Sequence, residues 1–258
     1  MLPSDCLVLA LEDTQELLFA DVRGRELGRI AASGFPRFPA ARPGGGLAYV
    51  AITSASEPWQ VVVVVVDAAG TPIDVIPGAA VFAAPVWSAD GQRLLFLRGD
   101  SGAAEIVEWA AADGTCTVLK AGETLRSAAW DAEGRLIWSA GGEIRAEGRA
   151  EPISEVAAAA GLSEFGSDDL YATVDQLAIS PDGSVAGVER WYRQGLSPAE
   201  HVIRVRDGEL ARQFAGRYPR WMPDGGLLVT LGDGSVGVSG CSAVELSGRP
   251  VHSAEWIV

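Results

Sequence analysis

The sequence predicts an all-β protein built from one repeated unit of short strands, and three observations support this. An anchor residue inside a short apolar strand returns at intervals of roughly 40 residues, the period of propeller blades. Several anchors run into an Asp-Gly turn, as at Asp90-Gly91, and glycine turns separate the apolar strands that follow. The anchors are Phe38, Trp87, Trp130, Ile179, Trp221 and Trp256. Six anchors with this period predict a six-bladed β-propeller.

The third repeat shows how the elements are predicted. Trp87 closes the first strand, and Asp90-Gly91 favours a tight hairpin because glycine accepts positive φ and aspartate bonds its own backbone. Residues 93–97 and 105–109 are apolar runs predicted as the second and third strands, and residues 116–119 as a short outer strand. The valine run at 61–66 is too short to span a bilayer, so it predicts a strand buried on both faces.

The two ends of the chain predict closure of the ring. Residues 6–12, 16–22 and 25–30 look like the last three strands of a blade, and the strand around Trp256 has no blade after it. Pairing them completes a blade and removes exposed edges. The predicted single domain comprises blade 1 at 252–258 with 5–30, blade 2 at 35–77, blade 3 at 83–120, blade 4 at 126–153, an insertion at 154–172, blade 5 at 173–214 and blade 6 at 217–247.

These repeats resemble the TolB-like, WD40-like propeller repeats, whose blades open with the pattern P-x-W-S-P-D-G. Segments 85–88 (Pro-Val-Trp-Ser) and 180–183 (Ser-Pro-Asp-Gly) carry the resemblance, which spans almost the whole chain. It implies the fold and no particular activity, because the motifs are structural. The pattern is broken at 43–46, where Pro-Gly-Gly-Gly replaces the turn, and at Ile179. TolB proteins are periplasmic and have a further N-terminal domain, and neither feature is expected here.

Charge and composition narrow the expected partners. The net charge of −14 disfavours nucleic acid and anionic membranes, which bind positive surfaces. No signal peptide is recognised, so a cytoplasmic protein is expected, as a monomer without a cofactor. Cys6, Cys116 and Cys241 fall on different blades without ligand spacing, which predicts reduced core thiols and no metal site.

The principal candidate binding surface is a predicted long loop at residues 189–201. It places Trp191, Tyr192 and Arg193 side by side, and these residue types are enriched at binding hot spots. The alternative is that the two aromatic residues only cover the edge of a blade. Three further residues on the loop-bearing face complete the predicted surface: Trp59, Arg98 and Tyr171.

The insertion at 154–172 is the second long connection. Residues 154–160 have a serine N-cap and an alanine run ended by Gly161, which predicts a short helix. The segment either covers the mouth of the channel beside the 189–201 loop or is a solvated insertion. Asp168 is a candidate binding residue, but Asp168 and Asp169 lack the spacing of calcium ligands.

Charged residues precede the anchors on three neighbouring blades: Arg37, Arg220 and Glu255. They predict an ion cluster near the axis of the ring. The cluster either seals the three blades together or holds a small anionic ligand on its arginines.

Two alternative functions follow. The leading prediction is a non-catalytic module that binds a protein or peptide on the loop-bearing face. The alternative is a small-molecule lyase, cyclase or hydrolase at the channel mouth, with His252 or His201 as base and with Arg37, Arg220 and Glu255 beside it. The sequence contains neither G-x-S-x-G nor H-E-x-x-H, which disfavours two common hydrolytic chemistries.

Overall fold

The computed structural model describes the whole chain except residues 1, 4, 13, 55, 57, 81, 101, 156–169, 181, 194–198, 207–208, 215, 223, 225, 232–234, 239–250 and 258. The described residues form β-strands and no helix, which confirms the all-β prediction. The strands are β1 (Cys6–Leu11), β2 (Glu16–Ala20), β3 (Glu26–Ala31), β4 (Phe35–Ala41), β5 (Leu47–Ile52), β6 (Val61–Val66), β7 (Pro72–Pro77), β8 (Val86–Trp87), β9 (Arg93–Gly99), β10 (Ala104–Ala110), β11 (Cys116–Gly122), β12 (Leu125–Trp130), β13 (Leu136–Ala140), β14 (Glu143–Ala146), β15 (Ser154–Glu155), β16 (Leu170–Ile179), β17 (Val185–Arg193), β18 (Ala199–Arg206), β19 (Glu209–Phe214), β20 (Arg217–Trp221), β21 (Leu227–Thr230), β22 (Val236–Val238) and β23 (Val251–Ile257).

The described strands group into antiparallel sheets of three or four strands. We number them sheet 1 (β23-β1-β2-β3), sheet 2 (β4 to β7), sheet 3 (β8 to β11), sheet 4 (β12 to β15), sheet 5 (β16 to β19) and sheet 6 (β20 to β22). In sheet 1 the last strand of the chain pairs with the first, so that Cys6 lies opposite Ile257 and Leu9 opposite Ala254. The two ends of the chain therefore share one sheet.

The core is distributed between the sheets. Each hydrophobic cluster lies mainly between two neighbouring sheets. Val50 and Phe96 belong to the cluster between sheets 2 and 3, which Tyr218 of sheet 6 also joins, and Leu9 and Leu228 belong to the one between sheets 1 and 6. The first strands of the sheets also contact one another in order, from β23 to β4, β8, β12, β16, β20 and back to β23. Every described sheet is therefore packed against two neighbours.

Strand β6 shows why a continuous apolar run is needed in such an arrangement. Val63 and Val65 pack in the cluster shared with sheet 3, whereas Val64 and Val66 pack in the cluster shared with sheet 1. Because side chains alternate across a strand, both faces of β6 must be apolar. The predicted doubly buried strand is confirmed.

The register of the first strands corrects one predicted anchor. Phe38 and Tyr218 both take positive φ, 50° and 54°, at bulges in β4 and β20. These two residues are therefore equivalent in the repeat. Ala41, opposite Leu47, holds the place that Trp221 holds opposite Leu227. Phe38 is thus not the counterpart of Trp221, although both follow a Pro-Arg pair.

The predicted loop at 189–201 is also wrong. Strand β17 continues to Arg193 and β18 begins at Ala199, with Trp191 paired to Ala199 across the hairpin. The extension forms because Leu170 to Thr173 of β16 supplies a third strand on the other side of β17. Aromatic residues favour such paired backbone. Of the predicted helix at 154–160, Ser154 and Glu155 form β15; the remainder, like Asp168, lies outside the described residues.

Candidate functional site

A groove lies between sheets 2 and 3 on the face opposite the Asp-Gly turns. It is built by the β5–β6 loop, the β7–β8 connection and the β9–β10 loop, and has a volume of about 470 Å³. Its lining residues are Trp59, Val61, Gly78, Ala79, Phe82, Gly99 and Asp100. Trp59 exposes 52% of its surface, which is unusual for a residue with so large an apolar area.

Backbone hydrogen bonds hold this groove in shape. The Gly78 amide donates to the carbonyl of Val61 at 2.9 Å, and the Gly99 amide donates to the carbonyl of Gly78 at 3.0 Å. Gly99 has φ of 105°, and a Cβ there would clash with the carbonyl oxygen of Ala103. The three segments are therefore tied together before any ligand arrives, which lowers the ordering cost of binding.

Arg98, a predicted contact residue, lies behind the lining of the groove. Its side chain lies beneath Gly78, 3.3 Å from where a Cβ of that residue would be. Its Nη2 pairs with Glu105 Oε2 at 2.6 Å, so its charge is balanced locally. Arg98 therefore lies next to the groove through Gly78 and Ala79, whereas Trp59 lines the groove itself. Sequence reasoning missed Phe82, whose signal was a single aromatic residue in the alanine-rich connection 79–84.

The other predicted contact residues lie in a different part of the ring. Trp191, Tyr192 and Arg193 end β17, and Tyr171 lies opposite Tyr192 on β16. Sheet 5 contains both strands and packs against sheets 4 and 6. The structure therefore does not unite these four residues with the groove at Trp59.

A charge network, buried in sheet 5 and exposed at Arg217, joins sheets 5 and 6 on the half of their strands away from the Asp-Gly turns. Arg190 pairs through Nη1 with Asp175 Oδ2 at 2.8 Å and through Nε with Glu200 Oε1 at 2.7 Å. Arg217 also pairs with Glu200. Burial raises the pKa of Asp175, although the positive charges of Arg190 and Arg126 partly oppose this shift. An acid within the apolar run of β16 was the sequence signal for this network.

His252 lies among aromatic rings. It stacks on Tyr218 at a centroid distance of 4.9 Å and meets the edge of Phe38 at 5.1 Å. Its Nε2 lies 3.3 Å from the Tyr218 hydroxyl and its Nδ1 lies 3.2 Å from Ser253 Oγ. Burial, helped by the charges of Arg37 and Arg217, lowers the pKa of His252 to about 3. The imidazole is therefore neutral at neutral pH.

The predicted three-residue ion cluster is only half formed. Arg220 Nε pairs with Glu255 Oε2 at 2.9 Å, with both side chains largely buried. Burial raises the pKa of Glu255 to about 7, although Arg220 opposes the shift. Arg37 is not in this pair. Its Nη1 donates instead to the carbonyl of Pro36 at 3.1 Å, because the bulge offsets Arg37 from the position of Arg220.

The residues of the alternative enzyme are dispersed. His252 and Arg37 lie near Tyr218, Arg220 and Glu255 lie toward the Asp-Gly turns, and His201 lies opposite Glu189 in sheet 5. Within the part of the chain that the structure describes, no group of three or more His, Cys, Asp or Glu is placed to hold a metal ion. Nor do those residues include a helix of the length and apolarity needed to cross a membrane.

Solved structures share this architecture, whereas no protein-family model and no curated protein matches the sequence. TolB from Acinetobacter baumannii superposes with a TM-score of 0.64 at 18% identity, over 97% of this chain and 68% of TolB. A chain of the nidogen–laminin complex superposes with a TM-score of 0.58 at 11% identity, over 96% of this chain and 97% of its own length. A protein from Lactobacillus plantarum superposes with a TM-score of 0.55 at 13% identity, over 98% of this chain and 99% of its own length.

The sheets and these likenesses define an all-β protein with the β-propeller fold. More particularly, the propeller is TolB-like, which confirms the predicted resemblance at the level of the fold.

Proposed function

We propose that this chain is a six-bladed propeller, closed by β23, that binds an extended peptide segment of a protein partner in the groove at Trp59. The pairing of β23 with β1 and the contacts of the first strands in ring order support the closed ring. On this proposal each of sheets 1 to 6 is one blade. The role is non-catalytic, in a cytoplasmic monomer.

The exposed indole of Trp59 is the observation that carries the proposed function. It stands at the rim of a preformed groove that also contains Phe82. Tryptophan is one of the residue types that are enriched among the residues that dominate binding energy at protein interfaces. One structurally similar chain is part of a complex between nidogen and laminin, which supports a protein as the ligand class.

The contact residues predicted on sheet 5 are retained as a second, separate surface. Trp191, Tyr192, Arg193 and Tyr171 belong to it, and Asp168 remains a predicted contact residue outside the described part of the chain. The dispersed positions of the two histidines and of Arg220 and Glu255 do not favour a catalytic function.

Selection from a random library of displayed 12-residue peptides tests the groove. The wild-type protein should enrich a peptide family that Trp59→Ser no longer retains, with an affinity loss of about tenfold or more, typical of a hot-spot aromatic residue. Val118→Ser is the matched control, because Val118 is also exposed, at 44%, but lies on β11 away from the groove. Equal retention by Trp59→Ser and the wild type would contradict the proposal.

Deletion of residues 251–258 tests the closure of the ring. It removes β23, including buried Val251 and Ala254, and leaves β1 with an unpaired edge. We expect the cooperative thermal transition to be lost. A shortened protein that melts at the wild-type temperature would show that the ring does not depend on β23.

A further inference from the structure

A second cavity opens on the opposite face, where the first strands converge beside the Asp-Gly turns. Its volume is about 200 Å³, and five of the six sheets contribute to its lining. Small apolar residues form much of the wall and leave the space free: Ala40, Ala41, Val86 and Ala178. The Arg220–Glu255 pair lies in the same wall. This cavity is separate from the groove at Trp59.

Most polar side chains around the cavity are already satisfied. The indole Nε1 of Trp87 donates to the carbonyl of Ala40 at 3.2 Å, and that of Trp221 donates to the carbonyl of Ala178 at 3.1 Å. The Ser88 hydroxyl donates to Asp90 Oδ1. The side-chain hydrogen bonds open to a ligand are therefore mainly those of the ion pair.

Both partners of the Arg220–Glu255 ion pair can form further hydrogen bonds. Arg220 uses Nε for Glu255 and Nη1 for the carbonyl of Pro219 at 3.0 Å, and among the described residues Nη2 has no acceptor. Glu255 accepts from Arg220 and, through Oε1, from the Trp256 amide at 3.2 Å, whereas a carboxylate offers about four acceptor positions. The two side chains expose 8% and 14% of their surface, and both line the cavity.

We propose that this cavity binds a small neutral ligand with an apolar body and a terminal primary carboxamide. The carbonyl oxygen of the amide accepts from Arg220, and its N–H donates to Glu255. The opposite charges of Arg220 and Glu255 favour a neutral carboxamide over a charged group. A carboxylate would bring a second negative charge beside Glu255 and an amidinium a second positive charge beside Arg220, both in surroundings of low polarity. A carboxamide offers the donor and the acceptor without adding charge.

Three ligands of matched shape test the proposal: isobutyramide, isobutyrate and isobutyramidinium. Titration of each into the full chain at pH 8, followed by NMR shifts, gives the affinities. The wild type should bind isobutyramide about tenfold or more tightly than either charged ligand, a difference of at least one decade in Kd. A wild type that binds isobutyrate equally well, or that gives no saturable shift with any of the three ligands, would overturn the proposal.

Two variants make the test specific to this cavity. Glu255→Gln keeps the shape and removes the negative charge, so its preference should move to isobutyrate by about tenfold. Ala41→Leu fills the cavity and should abolish binding of all three ligands; if it binds isobutyramide like the wild type, the site is elsewhere. Thermal melts confirm that each variant folds. Because peptide binding at Trp59 is measured separately, failure here leaves the proposed function standing.

Discussion

Two segments of this protein share a sequence pattern and have different surroundings. Pro36-Arg37-Phe38 and Pro219-Arg220-Trp221 both place arginine between proline and an aromatic residue on the first strand of a sheet. Arg220 is buried and paired with Glu255, whereas Arg37 is half-buried and bonded to a backbone carbonyl.

The bulge in each strand explains the difference. Arg37 precedes the positive-φ residue Phe38, whereas Arg220 follows the positive-φ residue Tyr218 by two positions. Since side chains alternate across a strand and a bulge interrupts the alternation, a small offset sends a side chain to a different environment. Position relative to the bulge, not local similarity, decides the role of each arginine.

The largest expected effect comes from removing each arginine in turn. Arg220→Ala leaves Glu255 buried without its counter-charge and should lower the free energy of unfolding by about 3–5 kcal/mol. Among the described residues Arg37 forms no ion pair, so Arg37→Ala should cost less than about 1 kcal/mol. Urea denaturation at pH 8 measures both. Equal losses would show that the register does not separate the two sites.

A smaller effect is the pH dependence of stability, which should differ between His252, near Arg37, and Glu255, which is paired with Arg220. The folded pKa of His252, about 3, lies below its ordinary value of 6.5, so the unfolded chain takes up the proton first. The stability from this group is therefore full above pH 6.5 and is lost as the pH falls toward 3. Between pH 7 and pH 5 the loss is about 2 kcal/mol. In His252→Gln this part of the loss should be absent.

Glu255 should behave in the opposite sense. Its folded pKa, about 7, lies above its ordinary value of 4.5, so its contribution to stability is full below pH 4.5 and is lost as the pH rises through 7. The cost of Arg220→Ala should accordingly be smaller at pH 5.5, where Glu255 is largely protonated, than at pH 8. A cost that does not change with pH would contradict the assignment of this pKa.

The smallest effect is expected when the pair is replaced as a whole. The double variant Arg220→Met/Glu255→Leu removes both charges together. Its free energy of unfolding should lie within about 1 kcal/mol of that of the wild type, because a buried ion pair stabilises the fold little more than apolar residues of similar size. A double-mutant cycle with Arg220→Met and Glu255→Leu gives the coupling energy. Strictly additive losses would show that the two side chains do not interact.

The sequence predicted the β-rich repeat well because its signals are local. Glycine turns and the apolar run of β6 depend on neighbouring residues alone, and both recur in the structure. The site was harder to predict because it depends on register and on contacts between sheets. Phe38 resembled an anchor but belongs to the bulge. The strand pairing of Trp191 depends on its register with the preceding strand β16, where it lies opposite Ala172.

The hydrogen bonds of two indoles bear on how such a protein could arise. Trp87 and Trp221 each donate to a carbonyl in the sheet that precedes their own. A repeat copied alone would carry an aromatic donor whose acceptor remained in the neighbouring copy. The hydrophobic clusters also lie between neighbouring sheets, so a single copy would expose apolar faces as well as an unpaired indole to water. A stable protein built from this repeat therefore needs several copies, joined in one chain or assembled from separate chains.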